Sequence, residues 1–364
     1  MTYFHKLKHI LHPIASRYFS RASLVEGTLR GSEESFRCLF VDNSMFTESL
    51  KARMYAEPPS VLKKWRIWTP ALRKLVLNKA DSIDMCVAVL PMKYESTFKG
   101  LYDFKSSESV HQIIDTTGSW EEVRNRFCKT KRQIAKNLPS KYGLWYRISH
   151  ELKDFDFFYH RMHVPHILKQ FGDLSDIDSY DDMKEFFLKG LLLLVTCEDK
   201  DVAGALCRIA DSTLIFRRTG VLDGDKAHTK IAAQTALYFF QLMYANEQNL
   251  RAVDTMQSLP FLDDGVYRHK REWGATVLPD EESRNWVFFF NTGPSEKTVL
   301  FFEKNPAIVY SDEGLKGVIG TSNGSDLSDS SLSNLTHQYQ SRGIHGFTIL
   351  TPQGDALVRT EIAG

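Results

Sequence analysis

The sequence predicts a mixed α/β protein built on a mostly antiparallel sheet flanked by helices. Three observations carry that prediction. The runs "LLLLVTC", "VAGALCRIA" and "TLIFRRTGV" are separated only by "EDKD" and "DS", spacing that reads as a meander of three antiparallel strands. Helix-start signals stand ahead of the meander, at Ser119 with Glu122 and at Ser179 with Asp182. Behind it an apolar-striped helix, "IAAQTALYFFQLMYANEQN", leads into a further strand, "LRAVDTMQS".

With 364 residues the chain has room for two domains. Lys and Arg number 46 against 45 Asp and Glu, so no global field points to DNA and any electrostatic function must be local. Cys38, Cys86, Cys128, Cys197 and Cys207 are odd in number and lack CxxC spacing, which fits reduced cytoplasmic thiols better than a disulfide framework or zinc site. No run approaches the roughly 18 residues of a membrane span.

In order along the chain, the opening "YFHKLKHILHPIASRYFSR" puts Leu7, Ile10, Leu11, Ile14 and Tyr18 on one helical face, with Lys6, Lys8, Arg17 and Arg21 elsewhere. Such a segment, interrupted by Pro13, suits a docked terminal helix or a peripheral contact with the inner face of the membrane. The strand-like runs "FRCLFVD" and "DMCVAVLPM" follow, with helical material expected around Val61 to Leu77. A helix opens at "SWEEV" and is expected to run to Pro139. From Val123 to Ile148 there is no acid, while Arg124, Arg126, Lys129, Lys131, Arg132, Lys136, Lys141 and Arg147 are basic, so this region presents either a cationic stripe for an anion or a solvated face. His160, His163 and His166 lack an acidic or cysteine ligand at a matching offset, and no metal is assigned. The first meander strand is apolar throughout and should be buried on both faces. The loop "LDGDKAHTK" precedes the helix striped by Ile231, Leu237, Phe240 and Met243. After the strand "LRAVDTMQS" comes "FLDDGVYRHKREWGATV", where Gly265 allows a turn. From Asn285 an α/β pattern restarts, interrupted by the Ser-rich "TSNGSDLSDSSLSN".

That order of elements resembles the GNAT acyltransferase superfamily, and its Fem-type branch of FemAB-like peptidyltransferases and acetyltransferases in particular. The residues that carry the resemblance are "KTKRQIAKNLPSKYG", similar to the basic helix before the family's main lobe; "DKDVAGALCRIADSTLIFRRTGVLD", similar to its hairpin and splayed fourth strand; and "DGVYRHKREWGATV", similar to its Gly…Lys-x-x-aromatic-Gly ending. The resemblance implies two tandem GNAT-like lobes. It divides the chain into an N-terminal segment (1–30), a degenerate first lobe ending in the basic helix (31–145), the acyltransferase lobe (146–284) and a C-terminal extension (285–364). The usual pyrophosphate loop is replaced by "DGDKAHTK", which leaves the donor open between acyl-CoA, most simply acetyl-CoA, and aminoacyl-tRNA. An amine-bearing small molecule or glycan precursor of the cell envelope is the implied acceptor, and a non-catalytic binding or assembly protein is the reading outside enzymes.

Amide formation needs a deprotonated amine held in line with a polarised carbonyl, and no covalent nucleophile. In the resemblance, splayed strands at "FRRTGV" and "AVDTMQ" form the cleft and backbone N–H groups of the former hold the donor. Arg217 and Arg218, beside Thr219, should fall one on each face of that strand. Gly224, Lys226, His228 and Thr229 stand where a helix N-terminus would accept phosphate oxygens. Asp254 can take the amine proton. Lys270 occupies the family's lysine position with an electrostatic role, so Lys270→Met should cost activity and leave the melting temperature nearly unchanged. Tyr267 is the candidate acid for the leaving group.

Overall fold

The structure, a computed structural model, describes residues 19–42, 44–78, 83–172, 177–225, 233–322, 328–354 and 356–363. Its strands are β1 (Phe19–Thr28), β2 (Ser35–Val41), β3 (Ser60–Trp68), β4 (Met85–Pro91), β5 (Phe104–Ser107), β6 (Val110–Asp115), β7 (Leu144–Ser149), β8 (Leu191–Cys197), β9 (Lys200–Ala210), β10 (Thr213–Val221), β11 (Ala252–Ser258), β12 (Thr276–Pro279), β13 (Asn285–Asn291), β14 (Ala307–Ser311), β15 (Gly314–Gly320), β16 (Ile344–Gln353) and β17 (Ala356–Ala363). The longer helices are α1 (Met45–Met54), α2 (Leu72–Leu77), α3 (Trp120–Asn125), α4 (Lys129–Ser140), α5 (Leu152–Phe157), α6 (Val164–Phe171), α7 (Tyr180–Leu188), α8 (Ala233–Glu247), α9 (Gly265–Glu272), α10 (Ser295–Lys304) and α11 (Asp329–Tyr339), with a π-helical turn at Phe158–His163 between α5 and α6.

The chain divides into two units: one of residues 1–110, 258–267 and 278–364, the other of 111–257 and 268–277. These divisions cut across the four consecutive segments expected above, because each unit is assembled from separated stretches.

The first unit holds a sheet of order β3-β1-β2-β4-β13-β5 and a smaller sheet of order β14-β15-β16-β17. Its central strands carry the unbroken apolar runs Cys38–Val41, Met85–Leu90 and Trp286–Phe290 because both sheet faces are covered there. Cys38, Phe40, Val87, Val287 and Phe289 enter one core with α1 and α10, while Leu39, Val41, Cys86, Ala88, Phe288 and Phe290 enter the other. Where helical material was expected, Ser60–Trp68 is the strand β3, paired antiparallel with β1. Its β-branched and aromatic residues favour the extended form, and helix α2 begins only after Pro70.

The second unit is a seven-stranded sheet of order β12-β6-β11-β10-β9-β8-β7. The meander β8–β9–β10 is antiparallel, as the sequence predicts, and the strand expected after α8 is β11, which lies parallel to β10. Strand β8 is buried on both faces: Leu191, Leu193 and Val195 join the core under α8, whereas Leu192 and Leu194 join Phe155, Phe158, Met162, Met183 and Phe187 from α5, the π turn and α7. The single basic helix expected from Ser119 to Pro139 is two helices. Ser119 and Glu122 do form the capping box of α3, but the chain breaks at Arg126–Cys128. There the Arg126 guanidinium donates to the carbonyls of Asp115 and Thr117, and the Cys128 N–H donates to Glu272. Pro139 sits inside the last turn of α4 without ending it.

Candidate functional site: a splayed pair of parallel strands

Strands β10 and β11 pair only over Thr213–Ile215 and Ala252–Asp254. Beyond that point β10 stays on β9, with Arg217 bulged out between Phe216, opposite Cys207, and Arg218, opposite Leu206. Strand β11 turns instead toward β6, where the Thr255 hydroxyl donates to the Gln112 carbonyl at 2.7 Å, and Met256 takes a left-handed φ of 62°. A bulge adds local twist, and a left-handed non-glycine residue re-aims a strand at a local cost, so the ladder between the two strands ends at Ile215 and Asp254.

The last paired residue on β11 is Asp254. Its Oδ1 accepts the Met256 N–H at 2.8 Å and lies 2.8 Å from His111 Nε2, on the neighbouring strand β6. Burial raises the pKa of this carboxyl, but the hydrogen bonds from His111 and Met256 lead the effects that outweigh it, so the group sits below the ordinary carboxylate range. Asp254 is therefore a carboxylate poor at keeping a proton. Because it accepts from Nε2, the imidazole carries a proton there. Sequence reasoning missed His111, which comes to Asp254 only through the long-range neighbourhood of β6 and β11.

Lys270 is buried, 3 % exposed, and its ammonium donates to the carbonyls of Met256 at 3.0 Å and Gln257 at 2.8 Å. It grips the bent end of β11, which differs from the electrostatic role toward a substrate expected from its motif. Tyr267 belongs to the first unit and is fully enclosed. An acid for a departing group needs a path to it, and this ring is shut away. The run "GVYRHKRE" itself is α9, begun by the Asp264 carboxylate, which accepts the N–H groups of Val266 and Tyr267. The turn conformation expected at Gly265 is found at Gly274 instead, with φ 85°.

On the donor strand, both Arg217 and Arg218 donate to Asp178, at 3.2 and 2.8 Å. Strict alternation would have put them on opposite faces; the bulge at Arg217 removes one step of the alternation and both guanidinium groups converge. The Thr219 carbonyl accepts Nδ1–H of His163 at 2.8 Å. His163 is fully buried at the end of the π turn, and burial holds its pKa below the usual imidazole value. Gly220 lets that turn lie against the strand: a Cβ there would meet His163 N and Met162 C at 2.5 Å. Gly224, at φ 58°, also lies against this segment: a Cβ there would meet the Pro165 carbonyl oxygen at 2.8 Å and His166 Cα at 3.1 Å. Lys226, His228 and Thr229 lie outside the described residues.

The expected cationic stripe is broken up. Lys131 is buried against α9, its ammonium 3.3 Å from Glu272, 3.2 Å from His269 Nδ1 and over the Trp273 ring. Burial, then the charges of Lys131 and Lys270, push the His269 pKa down to about 4. Arg147 pairs with Asp154 and Asp201. Lys129, Lys136 and Lys141 remain exposed. Among the described residues no group of His, Cys, Asp and Glu is arranged to hold a metal ion, and no helix is long and apolar enough to cross a membrane.

No family model matches the chain, and no curated protein matches it. Among solved structures it is similar to FemX, at 12 % identity over 76 % of this chain and 90 % of that one, TM-score 0.38. It is similar to the C-terminal domain of a lysylphosphatidylglycerol synthetase described as putative, from Agrobacterium fabrum, at 10 % identity over 74 % and 80 %, TM-score 0.36. A GCN5-related N-acetyltransferase from Anabaena variabilis follows at 12 % identity over 94 % and 72 %, TM-score 0.29.

Proposed function

We propose that the second unit is an acyltransferase site in which the splayed β10–β11 pair holds an acyl donor and an amine is acylated beside Asp254. The observation that carries this reading is the end of the parallel β10–β11 ladder at Ile215 and Asp254, just before the bulge at Arg217, past which we read the β10 edge as a seat for an extended ligand beside the Thr219 carbonyl that His163 holds. The simplest donor is acetyl-CoA or another acyl-CoA. The acceptor class, an amine on a cell-envelope or polysaccharide-related intermediate, rests on resemblance to the Fem branch.

The chemistry asks for a base and an ordered cleft. An attacking ammonium gives a proton to the His111 imidazole, while the Asp254 carboxylate orients the ring through Nε2–H and stabilises the imidazolium that forms. The free amine then attacks the thioester carbonyl, the C–N bond forms and the C–S bond breaks; the departing thiolate takes the proton that the nitrogen sheds on becoming an amide, and the imidazolium releases its own proton to water. Lys270 keeps the Asp254–Gln257 backbone in the conformation that points Asp254 at His111.

Titration calorimetry with acetyl-CoA and with desulfo-CoA tests the donor. Binding of both supports the reading; binding of aminoacyl-tRNA alone moves the chain to tRNA-dependent transfer, and binding of neither leaves a non-catalytic protein. If CoA binds, His111→Gln should lower kcat by about a hundredfold or more, the usual worth of a positioned base, and leave the acetyl-CoA dissociation constant unchanged.

A further inference from the structure

In the first unit, β3 is the edge of its sheet, and all but two of its residues are exposed. Its register with β1 sets Trp68 opposite Phe19, Arg66 opposite Arg21 and Lys64 opposite Ser23. Directly opposed residues share a sheet face, so Phe19, Trp68, Arg21, Arg66 and Lys64 make one surface. The other parity, Trp65 and Ile67, turns into the core with Leu72 and Val76. Farther in on the first surface, Phe40 is covered by Phe46, Leu50 and Met54 of α1. Among the described residues nothing covers the β3 end: Trp68 is 52 % exposed and Phe19 44 %.

Two features of this surface pull against stability in water. Arg21 and Arg66 stand directly across from each other, a like-charge pair that disfavours the ladder. No acidic side chain pairs with either, or with Lys64, among the described residues. The stretch from Ser60 to Asn78 adds Lys63, Arg73 and Lys74 and contains no acid. Lysines and arginines alone would be read as protection of a sheet edge against pairing with another strand. That reading does not extend to the aromatic pair, nor to Val61 and Leu62, about half exposed at the bulged start of β3, since apolar groups on an edge invite association. A partner that satisfies both features is anionic and apolar at adjacent depths.

The geometry points to the β1–β3 face as a docking surface for an anionic lipid bilayer, with Arg21, Lys64 and Arg66 at the headgroups and Phe19 and Trp68 at the boundary with the acyl chains. Tryptophan and basic side chains are the residues that settle at such an interface. A nucleic acid would use the charges but has no place for Val61 and Leu62. The inference concerns the first unit and stands apart from the acyl-transfer reading of the second.

Vesicle co-sedimentation of the full chain tests it, with phosphatidylglycerol vesicles against phosphatidylcholine vesicles and a single-stranded oligonucleotide. The expected result is binding to phosphatidylglycerol that weakens as salt rises. Each basic residue near an anionic surface is worth roughly fivefold in affinity, so Arg21→Gln/Lys64→Gln/Arg66→Gln should weaken binding by about a hundredfold. Phe19→Ser/Trp68→Ser should weaken it independently of salt. All five side chains are exposed, and an unchanged melting temperature shows that the variants fold. Equal binding to both vesicles, retention by the triple variant, loss through Lys6→Gln/Lys8→Gln alone, or preference for the oligonucleotide would each overturn the assignment.

Discussion

Removing the Lys270 ammonium would take this donor from the part-buried carbonyls of Met256 and Gln257. Hydrogen bonds from a charged group contribute about 1.5–3 kcal/mol, and an orphaned buried acceptor adds its desolvation cost. Lys270→Met should therefore destabilise by about 2–4 kcal/mol and lower the melting temperature by several degrees in a thermal scan. An unshifted melting temperature would return Lys270 to the substrate role its motif suggested. His269, on the same helix, makes stability depend on pH. Its pKa falls from an ordinary value near 6.5 to about 4 in the folded chain, so between those values the unfolded chain binds the extra proton. Stability is then complete above pH 6.5 and lost as pH falls toward 4, by about 3 kcal/mol at most. Urea titrations across that range should show this loss, and His269→Gln should flatten it. At this scale the sequence showed which residues carry chemistry but not whom they meet. Lys270 was legible as a lysine in a motif, while its partners are backbone atoms of a bent strand, which no residue pattern encodes. His111 carried no local signal, because its partner is Asp254 on a strand far along the chain.

The clamp on β10 sets the limits of the element scale. The chain from α5 through the π turn to α6 rests on β10 where Gly220 permits contact, with His163 fixed to the Thr219 carbonyl. A π turn widens the helix locally and pushes Met162 and His163 toward the strand. Gly220→Ala would place a Cβ 2.5 Å from backbone atoms, where no side chain can yield. The expected cost is about 1–3 kcal/mol of overpacking, measurable as a lower urea midpoint. Gly265→Ala is the control: nothing lies within 4 Å of its added Cβ, and the position opens α9, so the change should be neutral or slightly stabilising. The meander, the capping box at Ser119, the N-cap at Ser179 and the doubly buried β8 were all legible, since each is written in neighbouring residues. The bulge at Arg217 was not, because it appears only when β10 is laid against β9. With it went the expectation that Arg217 and Arg218 face opposite ways.

For the whole molecule, the sequence suggested a C-terminal extension beginning at Asn285, and the first seven residues of that segment turn out to be structural in the first unit. Strand β13 lies between β4 and β5, with Val287 opposite Val89 and Ser106, so the main sheet of that unit closes only when residues 285–291 arrive. Composition could show that "NWVFFFN" is a strand; it could not show which strands it joins, because pairing partners so distant leave no periodic trace. The consequence is that the C-terminal portion is not dispensable. Ending the chain at Arg284 would open edges on β4 and β5 and strip Val287 and Phe289 from one core and Phe288 and Phe290 from the other. Unpaired apolar edges of this kind aggregate, so the shortened chain should be insoluble or show the expanded, dye-binding behaviour of a protein without fixed packing. A milder probe separates strand loss from truncation in general. Phe289→Ala, at a side chain 1 % exposed, should cost about 3–5 kcal/mol, whereas Val358→Ala on β17, the outer strand of the small sheet, should cost well under half of that. Equal effects at the two sites, or a soluble and cooperatively folding chain ending at Arg284, would show that β13 is an appendage after all.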